Sequence, residues 1–175
     1  MMSSRNRLYQ FMLGNQEEKI KKTFTNPWYF LALGFGSGLS PKAPGTMGSL
    51  VALPFYYLFQ WLGIWVHLGI VVFSTLFGIW LCGKVAEDMQ VKDPSSIVWD
   101  EFVGMWITLL FLPSGLHWLV VAFCLFRLFD ILKPWPVGWI DKNLSGGAGI
   151  MLDDVAAGVI SLLIIQLANI ILVTL

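Results

Sequence analysis

An all-α fold embedded in a membrane is what this sequence predicts, on three observations: its composition, the length of its apolar runs, and the gathering of its charges into a few loops. Hydrophobic residues make up 57% of the 175 residues and charged residues only 13%, where soluble domains carry about 25% charged. A water-soluble surface is hard to build from so few charges. The 9 Trp and 13 Phe fit rings placed at bilayer interfaces. The apolar runs have helical lengths and no strand-like alternation. One domain is the default at this length. The expected architecture is a compact bundle of about five apolar helices over 26–175, preceded by an N-terminal arm over 1–25.

The arm carries Arg5, Arg7, Lys19, Lys21 and Lys22 but no adjacent apolar stretch ending in a cleavage signal. It reads as a solvated or surface-lying cytoplasmic arm rather than a secretory signal. After a Gly-rich segment, the run from Met47 to Cys82 is too long for one crossing. Trp61-Leu62-Gly63-Ile64-Trp65 marks its turn and gives spans near 47–62 and 65–83. A shorter segment, Phe102 to Leu112, stops at Pro113-Ser114-Gly115; it is a central helix shielded by others or a re-entrant one. The next, Leu116 to Leu132, stops at Lys133-Pro134, where proline cannot continue a helix and disfavours helical geometry in the residue before it. The last runs from Val155 to Leu175.

The charges test this layout. The turns around Gly63 and Ser114 hold none, whereas the opposite loops hold Lys84, Glu87, Asp88, Lys92, Asp93, Asp100, Glu101, Lys133, Asp141, Lys142, Asp153 and Asp154. With the basic arm on the same side, the Lys/Arg bias places that face and the N-terminus in the cytoplasm. Net charge is zero, so no nucleic-acid partner is indicated, and no obligate protein partner is evident. Cys82 and Cys124 lie far apart within apolar runs and form neither a disulfide framework nor a zinc motif.

Four segments carry chemistry. In Gly34-Phe-Gly-Ser-Gly-Leu-Ser-Pro-Lys-Ala-Pro-Gly-Thr-Met-Gly-Ser49, Thr46 is the expected N-cap of an apolar helix. Free N–H groups there, with Lys42 beside them, suit a phosphate; a flexible connecting loop is the simpler reading. In Trp99-Asp100-Glu101-Phe-Val-Gly104, two carboxylates open a helix, as dipole compensation or as ligands. In Arg127-Leu-Phe-Asp130-Ile-Leu-Lys133-Pro-Trp-Pro136, spacings of three set Arg127 beside Asp130 and Asp130 beside Lys133. These are ion pairs at the least, and suited to phosphate and metal. In Gly146-Gly-Ala-Gly-Ile-Met-Leu-Asp153-Asp154-Val-Ala-Ala-Gly158, a helix is expected to begin with two acids and to carry small residues four positions on, which permit close helix packing.

Asp100, Glu101, Asp130, Asp153 and Asp154 thus converge on one face as an oxygen-rich set lacking sulfur and histidine, which suits Mg²⁺ with a substrate phosphate. His67 and His117 fall toward the other face, as interfacial residues.

In order and spacing, GFGSGLSPKAPGTMGS, IVWDEFVGMWIT, FRLFDILKPWP and GGAGIMLDDVAAGV together resemble the phosphatidylglycerophosphatase A family of bacteria, over about Asn26 to Ser161. The resemblance implies Mg²⁺-dependent removal of the terminal phosphate from phosphatidylglycerol phosphate to give phosphatidylglycerol. It also implies a multi-pass protein of the bacterial inner membrane, with a central helix surrounded by others. Carried over residue by residue, it implies a functional set of Lys42, Thr46, Asp100, Glu101, Arg127, Asp130, Lys133, Asp153 and Asp154. On this reading the five acids are the metal ligands, and Lys42, Thr46, Arg127 and Lys133 hold phosphate. Asp100, Glu101 and Asp154 do the catalytic work, with Glu101 or Asp154 acting on the attacking water. An ion-coupled transporter is the competing class, disfavoured by acids at helix ends and by the lack of repeats.

Overall fold

The computed structural model describes residues 17–174, and among these every regular element is helical. Residues 17–25 are helical, so this part of the expected arm is ordered; Arg5 and Arg7 lie outside the described residues. The first full element, α1 (Pro27–Ala32), begins where the Asn26 side chain accepts the Trp28 N–H at 3.0 Å, with proline at the first helical position. A 3₁₀ segment, Gly34–Leu39, follows.

Helix α2 (Pro44–Leu62) and α3 (Ile64–Met89) meet at Gly63, whose φ of 85° is accessible to glycine without cost. The turn falls where the Trp61–Trp65 pattern places it. Helix α4 (Trp99–Thr108) is short and enclosed; every residue from Phe102 to Thr108 is buried. Helix α5 (Leu116–Leu132) matches its sequence-predicted bounds and ends at Lys133, which has left-handed geometry, before Pro134. Helix α6 (Val137–Asn143) is a short surface piece, and α7 (Gly146–Thr174) closes the chain.

Helix α4 packs against α2, α3, α5 and α7. Two indoles fix it across the core: Trp106 Nε1 donates to the Ala52 carbonyl at 3.1 Å on α2, and Trp99 Nε1 to the Ser74 carbonyl at 3.2 Å on α3. Each bond satisfies a buried donor that would otherwise cost its desolvation. The crossing with α7 depends on two glycines. A Cβ on Gly158 would stand 2.5 Å from the Gly104 carbonyl oxygen, and one on Gly104 would stand 2.8 Å from that of Asp154. The small residues of the fourth segment therefore do permit close approach.

Among the described residues two helices, α3 and α7, are long and apolar enough to cross a membrane. The expected five apolar helices are not matched in number by helices able to span: α4, at ten residues, is too short to cross by itself. One boundary differs. Helix α7 begins at Gly146, not near Asp153, so both acids sit two turns inside it rather than at its start. The run Gly146–Gly149 had the look of a loop, yet Gly147 and Gly149 are there for close packing: a Cβ on Gly149 would meet the Leu144 carbonyl at 2.8 Å.

Candidate active site

At one end of the bundle, the start of α2, the start of α4, the end of α5 and the second turn of α7 enclose a cavity of about 250 Å³. Asp100 and Glu101 occupy the first turn of α4, where the helix N-terminus favours negative charge. Val98 caps that helix, and it does so without a side-chain bond. Asp154 reaches the same point from α7 because the Gly104–Gly158 crossing brings the two backbones together. One carboxylate oxygen from each of Asp100, Glu101 and Asp154 lies within 4.8 Å of the others.

The surrounding groups compensate only part of this charge. Arg127 on α5 pairs with Asp130 one turn along, stands 3.8 Å from Glu101 Oε1, and its Nη1 lies 3.5 Å from the Ser49 hydroxyl. Asp100 Oδ1, Glu101 Oε2, Asp153 Oδ1 and Asp154 Oδ2 are buried and accept no hydrogen bond. Unsatisfied buried oxygens are costly. Burial first, and then the neighbouring Glu101 charge, pushes the Asp100 carboxyl well above the usual carboxylate range. Burial likewise lifts Glu101 to about 8, while its hydrogen bond with Asp100 and the Arg127 guanidinium pull the other way. Largely buried carboxylates with unpartnered oxygens form an all-oxygen donor set that could hold a hard cation.

The structure brings most of the sequence-predicted residues together and separates others. Asp100, Glu101, Arg127, Asp130, Lys133, Asp153 and Asp154 all line the cavity. Lys133 is not beside Asp130, as a spacing of three predicts. It has left the helical path at φ 45°, and its ammonium instead bonds Asp141 at 2.5 Å and Asp153 at 2.7 Å. Burial lowers the affinity of that ammonium for its proton, but the two carboxylate bonds outweigh this and raise its pKa. Asp153 is thus committed to Lys133 by one oxygen and is not in the three-acid cluster.

Thr46 is not the N-cap of α2. Ala43 holds that position, in left-handed geometry at φ 47°, because Pro44 takes the first helical position. Ala43, Pro44 and Gly45 line the cavity, while Lys42 is exposed on the adjoining loop and neither it nor Thr46 is part of the lining. The glycines upstream pack elsewhere, since a Cβ on Gly38 would meet the Ser96 backbone and one on Gly34 would meet Phe102 and Val98. His67, expected at an interface, is buried at the far end between Tyr56 and Phe59.

Three contributors escaped the sequence reading. Asp93, from the loop between α3 and α4, lines the cavity. Asp141 on α6 holds Lys133. At Gly45, a Cβ would collide with Glu101 Oε1 and lie 3.1 Å from Arg127 Nη1. A glycine in the first helical turn was a visible signal; no spacing rule connects Asp141 or Asp93 to the motifs.

The family model described as Phosphatidylglycerophosphatase A matches residues 30–169, a stretch that includes every cavity acid. The chain belongs to the phosphatidylglycerophosphatase A family. It is therefore a phosphatase. A Phosphatidylglycerophosphatase A of Escherichia coli is 52% identical over 144 residues, covering 82% of this chain and 84% of the relative. Another of that name, from Haemophilus influenzae, is 46% identical over 83% of this chain and 90% of its own. A relative in Bacteroides thetaiotaomicron, 44% identical over 79% of this chain and 91% of its own, is named, provisionally, a phosphatidylinositol-3-phosphatase. No solved structure matches the chain.

Proposed function

We propose that this chain removes the terminal phosphate of phosphatidylglycerol phosphate, leaving phosphatidylglycerol, at the cytoplasmic face of a bacterial inner membrane and with Mg²⁺ held by Asp100, Glu101 and Asp154. The observation that carries this reading is the cluster itself: three carboxylates within 4.8 Å of one another, each with a buried, unpartnered oxygen, on a cavity that also holds a guanidinium.

Placement in the bilayer is supported by side chains that water would not favour. Trp61 is 90% exposed and Trp65 82%, at the end opposite the cavity, and Leu58, Phe73, Leu76, Leu163 and Leu167 are exposed along the helices between. An apolar surface of that extent supports contact with lipid. The acids all lie at the other end, where the basic residues of 17–25 and the loops also gather.

When bound, Mg²⁺ supplies a Lewis acid and a template for the phosphomonoester oxygens. The chain's own residues do the rest. Arg127 faces the same cavity and offers its guanidinium to the charge spread over the phosphoryl oxygens. The free N–H groups of the first turn of α2, near Gly45, add donors and a partial positive charge. Lys133 has spent two of its N–H groups on Asp141 and Asp153, so its part is to fix Asp153 and offer a third. Lys42, on the exposed loop, meets the headgroup only at the rim.

Glu101 is the acid best placed to act on water. Its side chain keeps 13% exposure toward the cavity, whereas Asp154 is 3% exposed. In this mechanism Glu101 accepts a proton from the water as its oxygen attacks phosphorus, the bond from phosphorus to the glycerol oxygen breaks, the departing alkoxide takes that proton back from Glu101 to become the headgroup hydroxyl, and inorganic phosphate leaves.

The test is phosphate release by the purified chain from phosphatidylglycerol phosphate in detergent micelles, with EDTA and Mg²⁺ add-back. Release that EDTA abolishes and Mg²⁺ restores is expected; release indifferent to EDTA would refute the metal assignment. The phosphatidylinositol name carried by one relative makes a headgroup panel informative, with phosphatidylinositol 3-phosphate and phosphatidic acid as competitors. Faster release from either competitor would overturn the substrate assignment.

A further inference from the structure

The cavity is lined by charged and small residues, yet a diacyl substrate must leave it through an apolar opening, because its headgroup and its chains are one molecule. Among the lining residues one large apolar side chain is also strongly exposed: Ile131 on α5, at 65%. Ile97 and Ile150, the other large apolar residues of the lining, are buried. From Ile131 an exposed apolar strip continues up the same face of α5. Leu128 is one turn away and Cys124 two, both exposed, with Val121 and Val120 beyond them. Spacings of three and four place 124, 128 and 131 in line. Cys124 is about 10 Å along the helix from Ile131. Arg127 and Asp130, on the neighbouring face of the same turns, point into the cavity. A polar face that holds the phosphate and an apolar face that meets lipid thus adjoin at a single residue.

We propose that the α5 strip Ile131–Leu128–Cys124 is the track on which a diacylglycerol phospholipid lays its chains, and that the lipid reaches the cavity laterally, headgroup first, past Ile131. The inference rests on the phosphatase reading above. It commits to acyl chains as the occupant because the strip is continuous with the cavity and, among the described residues, belongs to a face that no other helix covers. Below the mouth, Leu132, Trp135 and Trp139 are exposed around α6, where aromatic rings suit the headgroup level.

The chain carries its own probe. Cys124 is exposed on the strip, and Cys82 is fully buried. The folded wild-type protein is alkylated with a bulky maleimide and assayed on two phosphatidylglycerol phosphates, one dioleoyl and one dihexanoyl. Oleoyl chains run past Cys124; hexanoyl chains end short of it. Alkylation is expected to lower kcat/KM for the dioleoyl lipid by roughly tenfold, because the label displaces a few chain methylenes from their dispersion contacts with the strip, and to change that for the dihexanoyl lipid by less than about twofold, since its chains make no contact there. Cys124→Ser treated identically should be unaffected, as should a labelled Val72→Cys in the Cys124→Ser background, where the label sits on exposed α3. Equal loss on both lipids, no loss on either, or loss in either control overturns the track. Absence of phosphate release from both lipids before labelling would instead overturn the phosphatase reading.

Discussion

Gly45→Ala separates a site defect from a folding defect, because two effects of one methyl group oppose each other. Gly45 lies in the first turn of α2, and replacing glycine by alanine in a helix favours folding by up to about 1 kcal/mol. Against this, the added Cβ collides with Glu101 Oε1 and comes to 3.1 Å from Arg127 Nη1. Forcing a methyl into a packed site costs about 1–3 kcal/mol when the surroundings cannot move. Here the obstructing atom is the end of a flexible side chain, so the carboxylate yields and most of the cost is avoided. Melting temperature should therefore change little. Activity should not survive so well, since Glu101 is displaced by about 1 Å from the cluster it shares with Asp100 and Asp154, and misplacement of that size costs about a hundredfold. Gly63→Ala is the control: a Cβ there would have no atom within 4 Å, but φ 85° with ψ 161° is a region essentially restricted to glycine, so it should lose about 1–3 kcal/mol of stability and retain turnover. The assay is phosphate release per folded protein alongside thermal unfolding. Wild-type turnover in Gly45→Ala would refute the placement of Glu101 at the reacting centre.

Further expectations follow from the same contacts. Asp154→Asn should lower kcat by about a hundredfold or more with unfolding little changed, as measured by phosphate release and circular dichroism. Lys133→Met leaves Asp153 buried without its partner and should destabilise by about 1–3 kcal/mol, less than a fully buried pair because Lys133 is partly exposed; denaturant unfolding checks this. The raised carboxyls of Asp100 and Glu101 set the pH response of the metal-free protein. Folding retains protons that the unfolded chain has released, so stability is fully present below the ordinary carboxylate range and is lost as pH rises toward about 8. Melting with EDTA should thus fall from pH about 5 to about 8, and Mg²⁺ should raise it most at the alkaline end; a flat profile would contradict it.

Most of the architecture was legible because its signals are local. Gly63 between two tryptophans marks the α2–α3 turn, and Pro113 and Pro134 bracket α5, whose bounds agree to the residue. The start of α7 was not legible: glycine is the usual sign of a loop, and only the tertiary structure reveals that Gly147 and Gly149 are helical because neighbouring backbone comes too close for a Cβ. Among the candidate site residues, Asp100, Glu101 and Asp154 stand out in the sequence as charge placed in apolar surroundings, which is expensive unless it is used, and the structure brings the three together. Lys133 was misassigned to Asp130 because the spacing rule holds only within a helix, and Lys133 is the residue that leaves it. Thr46 has the look of a cap, but Pro44 starts the helix three residues earlier than that cap implies.

Manganese binding read by electron paramagnetic resonance addresses the ion site with no dependence on turnover. Purified wild-type protein and the variants Asp100→Asn, Glu101→Gln and Asp154→Asn would be titrated with Mn²⁺ under identical conditions. Saturable binding by the wild type, displaced by Mg²⁺ and weakened by roughly tenfold or more in each variant, is the predicted result. Undiminished affinity in all three variants would mean that these carboxylates do not share an ion.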